Sequence, residues 1–121
     1  MEIQEIQQPL VRPVGAKHKS IMGHRGVPSL APENTLGGFQ KAAELGVEWV
    51  ELDVTLLADG TPVVNHDATV DRCSDQQGLL AHMTVAHLEG INNAARYQHW
   101  PRESVPLLSE VLALLQRYDM G

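Results

Sequence analysis

Two acidic residues, Glu51 and Asp53, have a spacing that suggests chemistry. They lie in a stretch where apolar and polar residues alternate as in a β-strand. Successive strand side chains point to opposite faces, so the two carboxylates share a face with Cα atoms about 6.5 to 7 Å apart. On an interior face they would be costly unless one is protonated or a divalent cation binds them. The alternative is a hairpin whose polar face meets water, and this stretch alone does not decide between the two.

Two histidines favour the interior alternative. His24 follows the first predicted strand and His66 ends the third, so we expect both on the rim where Asp53 ends its strand. In α/β barrels the carboxyl-terminal rim of the strands holds the active site. Arg25 follows His24 directly, and a guanidinium group is well suited to bidentate phosphate binding. The sequence therefore predicts a phosphate-handling site with a divalent cation.

The elements that position these residues alternate along the chain. The hydrophobic pattern predicts strands at 20–24, 49–57 and 62–66, and helices at 35–45, 84–91 and 109–118, capped by Thr35, Thr84 and Ser109. Alternating strands and helices favour a parallel α/β sheet. The joint from Asp53 to His66 leaves little room for a crossover helix, however. A plain hairpin with Asp59-Gly60 at its tip is the alternative.

Packing expectations follow from the same pattern. In the last predicted helix, the apolar residues expected to be buried are Val111, Leu112, Leu114 and Leu115. Two glycines, Gly37 and Gly38, weaken the first helix by roughly 1 kcal/mol each relative to alanine. We expect them to allow close packing on a sheet.

Composition excludes several classes of protein. The 121 residues fit one small domain, and a net charge of −6 argues against a nucleic-acid-binding protein. The single cysteine, Cys73, cannot form an intrachain disulfide, and we interpret it as a loop filler. The amino-terminal residues lack the apolar core of a signal peptide, and no run is long enough to span a bilayer. These features predict a cytoplasmic protein.

Four stretches together resemble one enzyme family. "GHRGVPSLAPENTLGGF" at 23–39 looks like the opening motif of the glycerophosphodiester phosphodiesterase family, and "ELDVTLLADGTPVVNHD" at 51–67 resembles its second motif. "ATVDR" at 68–72 matches the usual continuation, and "VPLLSEVL" at 105–112 is similar to a later helix entry. The resemblance covers the chain from about residue 20 to its end.

This resemblance implies a TIM barrel that hydrolyses glycerophosphodiesters to glycerol 3-phosphate and an alcohol, as part of lipid and glycerol metabolism. By motif match, His24 and His66 take the general acid and base roles, and Arg25 contacts the phosphate. Glu51 and Asp53 take metal-ligand roles, with Ca²⁺ or Mg²⁺ as the ion. The partner is then a small-molecule glycerophosphodiester, with no nucleic acid and no membrane span.

The length of the chain conflicts with a complete enzyme of this kind. A TIM barrel needs about 250 residues, so the expected fold is the N-terminal part of a (β/α)8 barrel, truncated before closure. Residues 1–19 would be an irregular lead-in and 20–121 the N-terminal portion of the phosphodiesterase domain. The family's third carboxylate ligand follows the helix predicted at 109–118 and is absent. We therefore expect weak or no activity from this chain alone.

Two alternatives remain open from the sequence. One is a catalytically inactive half-barrel that acts by binding a partner or by self-association through its open sheet edge. The other is an unrelated small α/β binding domain. The sequence names neither the alcohol released nor the choice between Ca²⁺ and Mg²⁺.

Overall fold

The computed structural model describes residues 2–3 and 22–121. Over these residues the chain alternates short strands with helices. The elements are β1 (Glu2–Ile3), β2 (Met22–His24), α1 (Leu36–Glu44), β3 (Trp49–Glu51), β4 (Val54–Leu56), β5 (Pro62–Val64), a 3-10 turn (Leu80–His82), α2 (Val85–Leu88) and α3 (Leu108–Arg117).

The strands form two small sheets among the described residues. β2 and β3 pair in parallel, whereas β4 lies between β1 and β5 and pairs antiparallel with both. The tip of the β4–β5 connection is Asp59-Gly60: Gly60 has a φ of 88°, and Asp59 accepts a hydrogen bond of 3.0 Å from the Thr61 amide. The hairpin alternative for this stretch is therefore correct, which removes the need for a crossover helix.

The prediction of one continuous strand from 49 to 57 is wrong. The strand ends at Glu51 and a new one begins at Val54, because the chain changes partners between them. β3 pairs with β2, and β4 pairs with β5. At the change, the Asp53 carbonyl accepts a hydrogen bond from the Asn65 amide at 3.0 Å. The predicted third strand is likewise shorter, ending at Val64 instead of His66.

Helix α1 begins where the sequence predicts. The Thr35 hydroxyl accepts a hydrogen bond from the Gly38 amide at 2.9 Å, and Gly46 follows the helix with a φ of 83°. The expected packing of Gly37 and Gly38 on a sheet is wrong. A Cβ on Gly38 would lie 2.2 Å from the Pro32 carbonyl oxygen, so this glycine packs against the loop that enters the helix.

Helix α3 begins two residues earlier than predicted. Leu107 is the N-cap residue, in an extended conformation, and its amide donates to the Glu110 carboxylate at 2.9 Å. The predicted cap, Ser109, therefore lies inside the helix. Among the expected buried residues only Leu112 is wrong: it is 48% exposed because it lies on the outer face.

Two apolar clusters form the core. The first joins α1 and α3 to the strands through Phe39, Ala42, Val50, Leu52, Val54, Val64, Val111, Leu114 and Leu115. The second comprises Leu57, Val63, Val70, Leu80, Leu88, Ile91 and Val105. Because Val63 and Val64 point to opposite faces and both are fully buried, β5 is covered on both sides. Such double coverage is typical of strands inside α/β folds.

Part of the sequence prediction falls outside the described residues. The predicted lead-in at 1–19 lies largely there, although Glu2–Ile3 forms β1. The start of the first predicted strand, residues 20–21, lies there too. None of the described helices has the length and apolar character required to cross a bilayer.

Candidate active site

The ends of β2 and β3 bring the first pair of predicted site residues together. The strands are parallel, and the final residue of one, His24, is in register with the final residue of the other, Glu51. His24 Nε2 lies 3.2 Å from Glu51 Oε1. The imidazole is 57% exposed and the carboxylate 15% exposed, so the pair faces solvent at the carboxyl ends of the strands.

Asp53 lies inside the protein at the same edge. Its carboxylate is almost fully buried, and Oδ2 accepts a hydrogen bond of 3.2 Å from Asn34 Nδ2. Arg25 Nε lies 3.7 Å from the same oxygen. A buried carboxylate is costly unless it is paired and hydrogen-bonded. The amide and the guanidinium supply that compensation.

The loop between β2 and α1 holds both of these groups in unusual backbone conformations. Arg25 has a φ of 59° and Asn34 a φ of 51°, in the left-handed region that most side chains avoid. The Asn34 amide donates to the Arg25 carbonyl at 2.9 Å, which closes the loop on itself. Such conformations cost on the order of 1 kcal/mol or more and cluster at functional sites. The loop is therefore shaped to aim both side chains at Asp53.

Arg25 faces a second carboxylate, Glu33, through a hydrogen bond of 3.4 Å from an Nη atom. Burial alone would raise the pKa of Glu33, but the hydrogen bond and charge of Arg72, together with the charge of Arg25, outweigh it and hold that pKa below its usual value. Glu33 is consequently ionised at neutral pH. Arg25 lies in the predicted site, and the described contacts of its guanidinium there are with carboxylates.

His66 reaches this edge from the end of β5. The Asn65 amide donates to the Asp53 carbonyl at 3.0 Å, and His66 is the next residue along the chain. His66 Nδ1 lies 2.7 Å from Asp67 Oδ1. Asp67 in turn accepts a hydrogen bond of 2.8 Å from Arg72 Nε. The structure thus brings His24, Arg25, Glu51 and Asp53 together at one edge, and the Asn65–Asp53 backbone bond joins the segment that carries His66 to it. It adds an Asp–Arg pair next to the second histidine.

Two residues of this arrangement, Asn34 and Arg72, are not among the site residues that the sequence predicts. Both lie inside the stretches that resemble family motifs, Asn34 at 23–39 and Arg72 at 68–72. Their partners lie 19 and 39 residues away along the chain, at Asp53 and Glu33 respectively. No local spacing reveals such contacts. The only sequence signal was their position inside the matching motifs.

The site supplies donors of the right kind for a hard divalent ion but too few of them. Carboxylate oxygens such as those of Glu51 and Asp53 suit Ca²⁺ and Mg²⁺. Within residues 2–3 and 22–121, no group of three or more His, Cys, Asp or Glu side chains is arranged to hold a metal. Buried Asn34 Oδ1 and Arg25 Nε have no hydrogen-bond partner in that part of the chain, so this edge contains polar atoms that a bound group would satisfy.

Two clefts help to locate the site. One of about 390 Å³ is lined by His24, Arg25 and Glu33, and therefore opens directly on the site. A larger one of about 570 Å³ lies at the start of β3, beside Trp49 and Tyr118. The larger cleft contains none of the predicted site residues. We place the site at the smaller cleft because the paired side chains, and not the volume, carry the chemistry.

Comparison with known proteins decides the family. The model of the glycerophosphoryl diester phosphodiesterase family matches residues 24–120. The chain belongs to this family. It is similar to glycerophosphodiester phosphodiesterase 1 of Bos taurus, with 42% identity over 97 residues that cover 78% of this chain and 29% of the bovine protein. A Caldanaerobacter subterraneus glycerophosphodiester phosphodiesterase is 36% identical over 82% of this chain and 41% of its own length.

Solved phosphodiesterase structures confirm the predicted fold. The Agrobacterium tumefaciens glycerophosphodiester phosphodiesterase superposes with a TM-score of 0.80 and 31% identity, over 86% of this chain and 45% of that one. A phosphodiesterase of Oleispira antarctica, solved with the product sn-glycerol-3-phosphate, gives a TM-score of 0.75 and 36% identity over 85% and 42%. The chain corresponds to part of a TIM barrel, and its described residues do not close one. It spans less than half the length of these relatives.

Proposed function

We propose that this chain carries the acid–base and metal-binding motifs of a metal-dependent glycerophosphodiester phosphodiesterase. The observation that supports this most directly is the edge where the His24–Glu51 pair lies beside buried Asp53 and Arg25. Family membership gives these residues a chemical context. The proposed reaction is hydrolysis of a glycerophosphodiester to glycerol 3-phosphate and an alcohol.

In this proposal the two histidines move protons. One imidazole, of His24 or His66, accepts the proton of the attacking hydroxyl, which we take to be a glycerol hydroxyl of the substrate, and the other donates a proton to the leaving alcohol oxygen. Water then opens the cyclic phosphate that this attack forms, which gives glycerol 3-phosphate. Histidine suits both tasks because its ordinary pKa lies near neutral pH. The exposure of both rings, 57% and 38%, gives substrate access to them.

Negative charge at phosphorus is the second requirement of the reaction. A phosphodiester already carries one negative charge, and attack on phosphorus builds more, which fixed positive groups stabilise. Arg25 is proposed to supply one such group, at the mouth of the cleft. A Ca²⁺ or Mg²⁺ ion held by Glu51 and Asp53 would supply Lewis-acid stabilisation of the same charge.

The proposed substrate is a small glycerophosphodiester, and the proposed setting is lipid and glycerol metabolism. The Oleispira antarctica structure with sn-glycerol-3-phosphate supports this substrate class, since 36% of aligned residues are identical. The predicted cytoplasmic location remains a prediction from the sequence, supported by the single cysteine.

The test of competence is release of glycerol 3-phosphate from glycerophosphocholine by purified 1–121 with Mg²⁺ or Ca²⁺. We expect weak or no turnover, because two carboxylates leave most positions of the ion to water. Robust turnover that His24→Ala abolishes would show that the chain is competent by itself, contrary to this expectation.

The roles of the residues are tested in a chimera, in which residues 22–121 replace the matching part of the Agrobacterium tumefaciens enzyme. Loss of a general acid or base costs about 10²- to 10⁴-fold in rate, so His24→Ala and His66→Ala should each lower kcat by that amount. The control is His82→Ala, because His82 is exposed on the 3-10 turn and is not among the residues that line the cleft. An active chimera that tolerates His24→Ala would overturn the assignment.

A second candidate is the catalytically inactive half-barrel that self-associates through its open edge. It is favoured by the exposed apolar side chain of Met22 on β2, which is 46% exposed in a sheet of only two described strands. Light scattering after size exclusion separates the candidates. A stable dimer of the 1–121 chain, together with a chimera that has no phosphodiesterase activity, would favour the half-barrel.

A further inference from the structure

One guanidinium joins two separate parts of the candidate site. Arg72 donates to Glu33 through both terminal nitrogens, at 3.0 and 2.8 Å, and to Asp67 through Nε at 2.8 Å. Glu33 belongs to the loop that carries Arg25, and Asp67 directly follows His66. Arg72 thereby links the loop after β2 to the segment after β5.

The contact between Asp67 and His66 determines what this link can do. The hydrogen bond from Arg72 holds the pKa of Asp67 below its usual value, and the hydrogen bond from His66 acts in the same direction. Together they outweigh burial, which would raise this pKa. Asp67 is therefore ionised at neutral pH and can only accept hydrogen bonds. Since His66 Nδ1 lies 2.7 Å from Asp67 Oδ1, Nδ1 must be the nitrogen that carries the proton.

This arrangement leaves the other ring nitrogen available. A neutral imidazole with its proton on Nδ1 has a lone pair on Nε2, which is the atom that can accept a proton from a hydroxyl. Without a fixed acceptor at Nδ1, the ring of His66 could rotate and exchange tautomers. Asp67 prevents both, provided that Asp67 is itself held in place.

We propose that Arg72 is a positioning residue that fixes the Asp67 carboxylate against His66 Nδ1 and so presents His66 Nε2 to the substrate. Its functional meaning rests on the proposed acid–base role of His66. Arg72 touches neither the cleft-lining His24 nor Arg25 in the described contacts, and acts only through Glu33 and Asp67.

The geometry requires arginine at this position. A guanidinium is a planar fork that can meet two carboxylates in one plane, whereas the ammonium of lysine is a point charge on a flexible stem. Burial opposes the charge, but the hydrogen bonds from Arg72 to Glu33 and Asp67 raise its pKa well above the usual value. The cation is permanent over the whole working range of pH.

The experiment measures the tautomer of His66 by nitrogen NMR of the 1–121 chain, with the carboxyl titration of Asp67 as a second readout. In the unmodified chain we expect the proton on Nδ1. In Arg72→Gln we expect loss of that tautomer as the dominant form and an upward shift of the Asp67 titration. Arg72→Lys should restore part of the titration shift but not the tautomer. The control Arg102→Gln should change neither, because among the described residues Arg102 donates to the Glu89 carbonyl and contacts neither Glu33 nor Asp67.

Two results would overturn the proposal. One is a proton on Nε2 of His66 in the unmodified chain, a measurement that needs no variant. The other is an Arg72→Gln chain with the His66 tautomer and the Asp67 titration both unchanged. If Arg72→Gln does not fold, Asp67→Ala replaces it. An unchanged His66 tautomer in Asp67→Ala would likewise overturn the proposal. The readout needs no turnover, so an inactive chimera with the expected tautomers would reject the proposed function and leave the positioning role intact.

Discussion

Asn34 shows how a single residue can serve both the backbone and the site. Its side chain is fully buried and donates to Asp53, while its own backbone is left-handed. Asparagine tolerates this conformation better than other residues with a Cβ, because its short polar side chain can bond locally. The position therefore combines a conformational demand with a hydrogen-bonding one, and substitutions can separate the two.

We predict that the Asn34→Ala variant has a lower free energy of unfolding than the Asn34→Gly variant, although alanine is usually the more stabilising residue of the two. Both variants lose the bond to Asp53, at a cost of about 1.5 to 3 kcal/mol for a bond to a charged group. Alanine pays about 1 kcal/mol more, since its Cβ disfavours a positive φ that glycine adopts freely. Urea unfolding of the unmodified chain, Asn34→Ala and Asn34→Gly at neutral pH measures the cost of the lost hydrogen bond and the cost of the positive φ. Equal stability of the two variants would contradict the proposed backbone demand.

At the scale of the element, the start of α1 is unusually tight. Thr35 accepts from the Gly38 amide at 2.9 Å and donates to the Pro32 carbonyl at 2.8 Å, so the hydroxyl closes the turn that enters the helix. The same carbonyl occupies the space that a Cβ on residue 38 would need. The first turn of the helix is therefore packed directly against the loop that contains Asn34.

For this reason we predict that Gly38→Ala destabilises the protein, although alanine is normally the better helix former by about 1 kcal/mol. The new Cβ would meet the Pro32 oxygen at 2.2 Å, a backbone atom that cannot move without disturbing the loop. Overpacking of this kind costs about 1 to 3 kcal/mol. Thermal unfolding followed by circular dichroism measures the change.

Gly90→Ala is the matched control. A Cβ there would lie 3.7 Å from the His87 carbonyl oxygen, which is ordinary contact. We expect a neutral or slightly positive effect on stability from the reduced freedom of the unfolded chain. If Gly38→Ala is as stable as Gly90→Ala, the loop that contains Pro32 shifts to accommodate the new Cβ, and the predicted overpacking is wrong.

At the scale of the whole molecule, the described residues make up part of a barrel with one edge rich in charged groups. Glu51 and Asp53 are the proposed ligands, and in the described part of the chain no third carboxylate or histidine is arranged with them to hold a metal ion. An ion at such a site would keep most of its water. Its binding energy is also available to stabilise the fold, because the unfolded chain does not present the same ligands together.

We predict a small stabilisation by divalent ions. With a dissociation constant on the order of 1 mM, typical of weak oxygen sites, about 10 mM Ca²⁺ would add roughly 1.4 kcal/mol. Scanning calorimetry should then show a rise in Tm of several degrees that Glu51→Gln removes. Glu89→Gln, an exposed acid outside the site, should keep the rise. An equal rise in all three chains would indicate nonspecific ion effects.

Much of the fold was predictable because it depends on local signals. Thr35 before a helical pattern, Gly46 after it, and Asp59-Gly60 between two apolar runs each act within a few residues, and the structure has α1 and the hairpin where they indicate. The break between β3 and β4 was missed. It depends on which strands lie beside Glu51 and Asp53, and no alternation within the stretch encodes those partners.

The sequence by itself determined which residue types form the site and their order along the chain, from His24 to His66. It does so because the motifs contain these residues at fixed spacings. Only the tertiary structure decided that Asn34 and Arg25 hold Asp53, and that Arg72 holds Asp67. The physical reason is that a buried or shared carboxylate must find its donors in space, since burial makes an unpaired charge costly. Those donors come from loops whose approach depends on the packing of the whole sheet.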